Sequence, residues 1–440
     1  MISRSPAAAD PAHAPPGTPS TPSTSGTSGT APAAAPRRAG ALIAVLGALT
    51  AVAPLATDMY VPGFPAMGAS LHAGSSAIQL TMTAFLAGLV VGQLVIGPLS
   101  DSLGRRRLLV AGSAGFALFS LVCTVAPGVE VLTVARFLQG ATGAAGMVLA
   151  RAVLTDRFHG ADIPRYFALL SQILGVAPVA APVLGGAVLS VSTWRAVFVV
   201  LTVIGVLLLL AVLAKVPESL PPERRHAGGV SGTFRAMGRL LGSRAFMGYV
   251  LVLGCTAAAL FSYIAGSSFV FENLHGVSPT TYSLIFAVNA LGMLAAGAVF
   301  GRLARRVRLN VLLVAGVALA AVGALAQVVL LAVAGETFAG TWLSLFVTTC
   351  GIGLVFPATM SLGQTLGRSA PGAASALLGG LQFLFGAIAS PLVGLFGEDS
   401  SAPMALIMLG ALVAAGGCLL VLVRPWRGAG EVAARESAGG

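Results

Sequence analysis

Gly97-Pro-Leu-Ser-Asp-Ser-Leu-Gly-Arg-Arg-Arg107 lies between two long apolar runs, 78–98 and 107–127. A helix crossing a bilayer needs about 20 mostly apolar residues, and each run supplies them. Lys and Arg favour the cytoplasmic side of a membrane, so Arg105, Arg106 and Arg107 make this a short inner loop between two spans. Gly97 and Gly104 suit such a loop, because glycine permits close helix approach and a tight turn. Asp101 supplies a carboxylate that can pair with the arginines or with a neighbouring helix end.

Working outward, the same alternation of apolar run and loop continues along the chain. The runs before the linker are 41–62, 78–98, 107–127, 131–153, 165–189 and 195–215. Those after it are 245–269, 281–301, 310–333, 338–362, 373–396 and 404–424. Backbone polar groups cannot stay open in lipid, so the runs are helices or the strands of a closed barrel. Barrel strands alternate apolar and polar residues, and these runs do not. The expected fold is an all-α membrane protein with twelve transmembrane helices in two six-helix bundles. Composition agrees: 9% of the 440 residues are charged, against roughly a quarter in soluble domains, too few to cover a soluble surface of this size. The net charge of +11 does not imply nucleic acid, because the basic residues are dispersed among short loops. Cys123, Cys255, Cys350 and Cys418 each stand alone in an apolar stretch. They read as buried small residues, with neither disulfide nor metal site expected.

The loops set the orientation. Arg37 and Arg38, the 105–107 triplet, Arg157 and Arg165, the 215–244 segment, Arg302 to Arg308, Arg368, and Arg424 to Arg435 all fall on one side. The opposite loops carry Glu130, Glu272, Glu336, Glu398 and Asp399, with Arg195 their basic residue. Both termini are expected in the cytoplasm. The implied organisation is a disordered tail (1–38), an N-terminal bundle (39–215), a cytoplasmic linker (216–244) with a basic, weakly amphipathic stretch, a C-terminal bundle (245–425) and a tail (426–440). The halves echo each other: Gly97 to Arg107 has a counterpart in Gly297-Ala-Val-Phe-Gly-Arg-Leu-Ala-Arg-Arg306. Repeated six-helix units place a substrate site between the halves near the midplane.

Gly97-x-Leu99-x-Asp101-x-x-Gly104-Arg105-Arg106 resembles the helix 2–3 signature of the major facilitator superfamily. The resemblance implies the major facilitator fold and a conformational latch formed by Gly97, Asp101, Gly104, Arg105 and Arg106. In the fifth span, Gly175-Val-Ala-Pro-Val-Ala-Ala-Pro-Val-Leu-Gly-Gly186 resembles the antiporter motif of drug–proton exporters, with Ala181 where that motif has its first glycine. Pro178, Pro182, Gly185 and Gly186 carry the likeness. Ala56 to Pro65, Gly353 to Pro357 and Gly372 to Gly379 resemble the bicyclomycin-resistance (Bcr/CflA) branch of the drug–proton antiporters.

Two charges lie well inside the spans, Asp58 and Arg136. Each costs about 2.5–3.5 kcal/mol at a helix centre on insertion scales, so such residues face a cavity or each other. At 1.5 Å per residue, Asp58 lies roughly 25 Å along the first span and Arg136 roughly 8 Å from the outer edge on the fourth. Both therefore sit at a similar level in the outer half, as a pair or around a shared watery site. Asp58 is the expected proton and cation site, and the resemblance implicates Arg136 in proton coupling. Gln139, one helical turn on, is the third expected site residue. No histidine falls within a span.

The expectation is a proton-coupled exporter of small drug-like or lipophilic molecules, working by alternating access in the inner membrane. It is expected to be a monomer that needs no cofactor or metal and is not an enzyme. Its partners are the small-molecule substrate, protons and the lipid bilayer. The alternatives are a metabolite or sugar transporter of the same fold with different coupling, and a membrane sensor.

Overall fold

The computed structural model describes residues 36–158, 162–221, 230–396, 400–428 and 430–431, and every regular element among them is helical. The expected tails and linker fall partly outside these residues.

The first span runs Gly40–Leu71 in three pieces: α1 (Pro36–Asp58), a 3-10 turn (Val61–Gly63) and α2 (Phe64–Leu71). The interruption has a local cause. A proline ring collides with the carbonyl four residues earlier, so Pro62 stops α1 at Asp58. The N-terminal half continues with α3 (Ser75–Leu103), α4 (Arg105–Thr124), α5 (Val129–Arg157), α6 (Asp162–Val191) and α7 (Trp194–Lys215). A single residue, Gly104, joins α3 to α4 at φ 93°, a backbone conformation that side chains other than glycine's resist.

Next comes α8 (Val230–Leu241), where a weakly amphipathic stretch was expected. It is a well-formed amphipathic helix: Met237 and Leu240 are buried against Phe246, Val250 and Leu253 of the next helix, while Arg235 and Arg239 stay exposed. The C-terminal half contains α9 (Arg244–Ser268), α10 (Pro279–Leu303), α11 (Leu309–Ala334), α12 (Phe338–Leu366), α13 (Pro371–Leu395) and α14 (Ala402–Cys418). A π-helical segment, Phe269–Leu274, extends α9. It carries Glu272 into the end of the seventh span, Arg244–Leu274, rather than into a loop.

Twelve helices are long and apolar enough to cross a membrane. Their outer faces expose Val199, Val203, Val206 and Leu210 on α7 and Val311, Val322, Leu325 and Val329 on α11. Surface this continuously apolar is stable only against lipid. The halves meet where α3 packs on α13 and α6 on α10. Small residues set these approaches: a β-carbon on Gly186 would strike Ser283, and one on Gly394 would lie 2.7 Å from the Ser76 nitrogen. Both contacts lie at the end of the molecule that carries the short acidic loops. There Phe64 also faces Phe269, their ring centroids 6.0 Å apart, so the acidic end is closed.

Candidate functional site

Asp58 and Arg136 both lie deep in the molecule, 4% and 0% exposed, yet they do not form an ion pair. Of the two expected arrangements, a pair or a shared watery site, the pair is not formed, and the end of α1 explains why. The last carbonyls of a helix have no intrahelical partner. Because α1 stops at Asp58, the Ala56 carbonyl is free, and Arg136 Nη2 donates to it at 3.0 Å. A cation at a helix C-terminus also meets the negative end of the helix dipole. Two residues further along a helix is a rotation of about 200°, so Asp58 projects from the opposite side of α1.

The two terminal nitrogens of the guanidinium find partners without a carboxylate, while Nε is buried with no hydrogen-bond partner. Its Nη1 donates to Gln139 Oε1 at 2.5 Å, and its carbon lies 4.2 Å from the ring centroids of both Tyr60 and Phe85. Phe198 adds a third ring at 5.8 Å. A desolvated cation over aromatic faces gains about 2 kcal/mol. Gln139 passes the chain on, Nε2 donating to Ser120 Oγ at 2.7 Å, and Ser120 donates to the Phe116 carbonyl at 2.6 Å. Arg136 and Gln139 thus tie α1, α4 and α5 into one unit.

Asp58 faces the C-terminal half. Its Oδ1 is buried with no hydrogen-bond partner, and the carboxylate lies within electrostatic reach of the Tyr263 and Tyr282 hydroxyls. Tyr263 belongs to a polar chain: Trp342 Nε1 donates to Asn289 Oδ1 at 3.2 Å, and Asn289 Nδ2 donates to Tyr263 Oη at 3.0 Å. The Tyr263 ring stacks on Phe286 at 5.2 Å, and Tyr282 shares a 2.8 Å hydrogen bond with Ser267. An acid unpaired at Oδ1 therefore lies near two tyrosines of the other half.

The glycines of α6 straddle that junction. A β-carbon on Gly185 would strike the Met59 carbonyl oxygen, next to Asp58, whereas one on Gly186 would strike Ser283 of α10. Pro178 and Pro182 lie inside α6, which runs on through both.

At the basic end, the residues of the expected latch meet partners that sequence reasoning passed over. The Arg105 N–H donates to Glu218 Oε1 at 2.9 Å, and Arg105 Nε pairs with Asp156 Oδ2 at 3.3 Å. Arg105 Nη1 also donates to Ser100 Oγ. Arg106 donates to the carbonyls of Val216 and Leu213 at 2.8 and 2.9 Å. Ser219 Oγ donates to Asp156 at 2.8 Å. The turn is pinned to the end of α5 and to the segment leaving α7. Gly97 lies one turn before the Ser100–Gly104 cap, and its carbonyl accepts from Ser100 Oγ at 2.6 Å. The Asp101 side chain lies outside the described residues. Asp156 and Glu218 were visible in the sequence as acids inside otherwise basic loops. The ring cage of Tyr60, Phe85 and Phe198 left no such signal, because its members come from three separate spans. Among the described residues no group of three His, Cys, Asp or Glu side chains could hold a metal ion.

Comparison with known proteins agrees with this architecture. The family model of the Major Facilitator Superfamily matches residues 46–390. An uncharacterised MFS-type transporter, YdgK of Bacillus subtilis (strain 168), is 40% identical over 370 residues, 84% of this chain and 92% of that one. A bicyclomycin resistance protein homologue of Haemophilus influenzae is 29% identical over 386 residues, 84% of this chain and 93% of that one. The multidrug resistance protein MdtL of Escherichia coli O157:H7 is 27% identical over 243 residues, 55% and 61% of the two chains. Among solved structures, a bacterial homologue of the human lysosomal transporter Spinster, in an inward-facing and unoccupied conformation, superposes with a TM-score of 0.65 at 16% identity, covering 92% of this chain and 98% of that one. With the family model matching residues 46–390, a relative 40% identical over 84% of the chain and twelve candidate spans in place, this protein belongs to the Major Facilitator Superfamily and is a membrane transporter, not an enzyme.

Proposed function

We propose that the protein exports small drug-like or lipophilic molecules across the inner membrane in exchange for protons, with Asp58 carrying the proton. The observation behind this reading is the buried Asp58 carboxylate, unpaired at Oδ1 and facing the other half. Arg136 spends its charge on the α1 terminus and the ring cage, so nothing permanently holds Asp58 ionised. A carboxylate buried without a partner is costly, and taking up a proton or a cationic substrate relieves the cost. Either occupant lowers the barrier to moving the site between the two sides. Inward proton movement supplies about 2.3 kcal/mol per charge for each 100 mV. The names of two relatives, a bicyclomycin resistance homologue and a multidrug resistance protein, support drug-like cargo. Both termini lie in the cytoplasm in this reading, on the side of the basic loops. The two fused halves make a monomer sufficient.

The test is proton flux in proteoliposomes under an imposed pH gradient, following lumenal pH as cationic, neutral and anionic compounds are added. The expected result is flux that depends on compound and is lost in Asp58→Asn. Flux retained in that variant removes Asp58 from the mechanism. Absence of flux from folded, ligand-binding wild type removes proton antiport itself.

A further inference from the structure

Gln79 lies in the first two turns of α3, at the acidic end, and is 1% exposed. Its carboxamide spends both ends on the opposite half. Nε2 donates to the Ala265 carbonyl of α9 at 3.2 Å, and Oε1 accepts the Gly394 N–H of α13 at 2.8 Å. Gly394 lets α13 come this close: a β-carbon there would sit 2.8 Å from Gln79 Oε1. Two residues along α3, Thr81 lies 3.4 Å from the Tyr60 hydroxyl, and the Tyr60 ring covers Arg136. One turn of α3 therefore touches both the closed end and the tyrosine that covers the buried cation.

An apolar side chain could fill this contact, but it would leave the Ala265 carbonyl and the Gly394 N–H without these partners. A carboxamide is costly in a dry seam unless both its ends are bonded. What it gains is reversibility, since water can take over both bonds when the seam opens. We propose that Gln79 is the clasp of the acidic-end gate, closing it through Ala265 and Gly394 and releasing it by exchanging both bonds for water. This rests on the alternating-access reading above.

The experiment is hydrogen–deuterium exchange on the full chain, comparing Gln79→Leu and Gln79→Glu with wild type at matched pH. Losing two buried hydrogen bonds raises the open population by about tenfold or more. In Gln79→Leu, amides of segments 75–79 and 392–396 exchange faster by that factor, while basic-end segments do not. Gln79→Glu keeps the shape and gives a second readout. As a protonated acid it bonds both partners and exchanges like wild type; as a carboxylate it faces the Ala265 carbonyl and exchanges like the leucine variant. Ser76, Ala265 and Gly394 around it are uncharged. Asp58, Tyr60, Tyr263, Glu272 and His275 on neighbouring elements are common to wild type and both variants, so the comparison at each pH is made against the same charged and titratable neighbours. Unchanged exchange in Gln79→Leu, or a Gln79→Glu ratio that is flat with pH, overturns the clasp. Faster exchange in a protein without substrate-linked proton flux leaves the clasp standing and removes the antiport reading instead.

Discussion

One methyl group placed at Gly185, and separately at Gly186, distinguishes packing within the N-terminal half from the moving contact between the halves. At position 185 the new β-carbon would lie 2.8 Å from the Met59 carbonyl carbon and 3.1 Å from its α-carbon, with the oxygen closer still. All three are backbone atoms, so no rotamer change relieves the clash, and α6 has to move away from α1. Overpacking of this kind costs about 1–3 kcal/mol. For a unit of 150–250 residues that is a fall in Tm of about 2–4 °C per kcal/mol. Gly185→Ala is therefore expected to lower the thermal midpoint of the purified protein by several degrees and to weaken transport, because the displaced Met59 adjoins Asp58.

At position 186 the neighbours are the Ser283 side chain, with its β-carbon at 2.8 Å, and the Pro279 oxygen at 3.3 Å. These belong to the other half. The strain is relieved by separating α6 from α10, which on the proposed alternating-access cycle opens the acidic end. Gly186→Ala is expected to leave the midpoint nearly unchanged and to favour the open acidic end by roughly fivefold or more. Thermal unfolding and exchange at segment 279–286 read the two effects separately. If both variants lose the same stability and neither changes exchange at the junction, the division of the two glycines between α1 and α10 has no energetic meaning.

Arg136→Met leaves the Ala56 carbonyl and Gln139 Oε1 buried without their donor, and is expected to cost about 2–4 kcal/mol in an unfolding measurement. Arg136→Lys keeps the charge but loses the fork and the stacking on Tyr60 and Phe85; it is expected to fold better than the methionine variant while still transporting poorly. At the basic end, the Arg105–Asp156 pair is partly exposed, with side-chain accessibilities of 13% and 21%, so Asp156→Asn is expected to cost at most about 1 kcal/mol in thermal unfolding. Glu218→Gln can still accept the backbone N–H groups of Arg105, Ser219 and Leu220 and is expected to lose a similar amount. Because both acids meet at Arg105, their double variant should depart from additivity by about 0.5 kcal/mol or more, and strict additivity would separate the two contacts.

The spans and the depth of Asp58 and Arg136 were legible because both depend on composition: a run is apolar or it is not, and a charge within it stands out. The relation between the two residues was not, since it depends on where α1 ends. Pro62 was the available signal, for it stops the helix four residues earlier and frees the carbonyl that Arg136 takes. Equal depth alone leaves open whether the two touch, and the rotation from Ala56 to Asp58 sets them on different sides of α1. In the loops, counting basic residues settled which segments share a face but hid Asp156 and Glu218, the partners that give the arginines a fixed geometry. The Asn289–Tyr263–Trp342 chain was illegible for a different reason: its members are ordinary in their own spans and acquire a role only when α9, α10 and α12 converge.

The repeat in the sequence also appears as a repeated device at the basic end, but with unequal equipment. Helix α4 begins with the Arg105 N–H bonded to the Glu218 carboxylate, and α11 near its start has the Asn310 N–H bonded to Glu431 Oε1 at 2.7 Å. In each half an acid from the segment after the sixth helix closes the start of the third, where the helix dipole favours negative charge. The motifs have since diverged. Opposite Asp101 stands Gly301, and opposite Gly104 stands Ala304, whose φ of −57° lets the chain leave α10 without the tight glycine turn. At the C-terminal start the Tyr249 hydroxyl donates to Asn310 Oδ1 at 2.8 Å, where the N-terminal start has the Arg105–Asp156 ion pair. A neutral hydrogen bond responds little to nearby charge, whereas an ion pair responds strongly. Among the described residues, the half that carries Asp58 and Arg136 is thus the half whose inner turn is held by an ion pair, Arg105–Asp156.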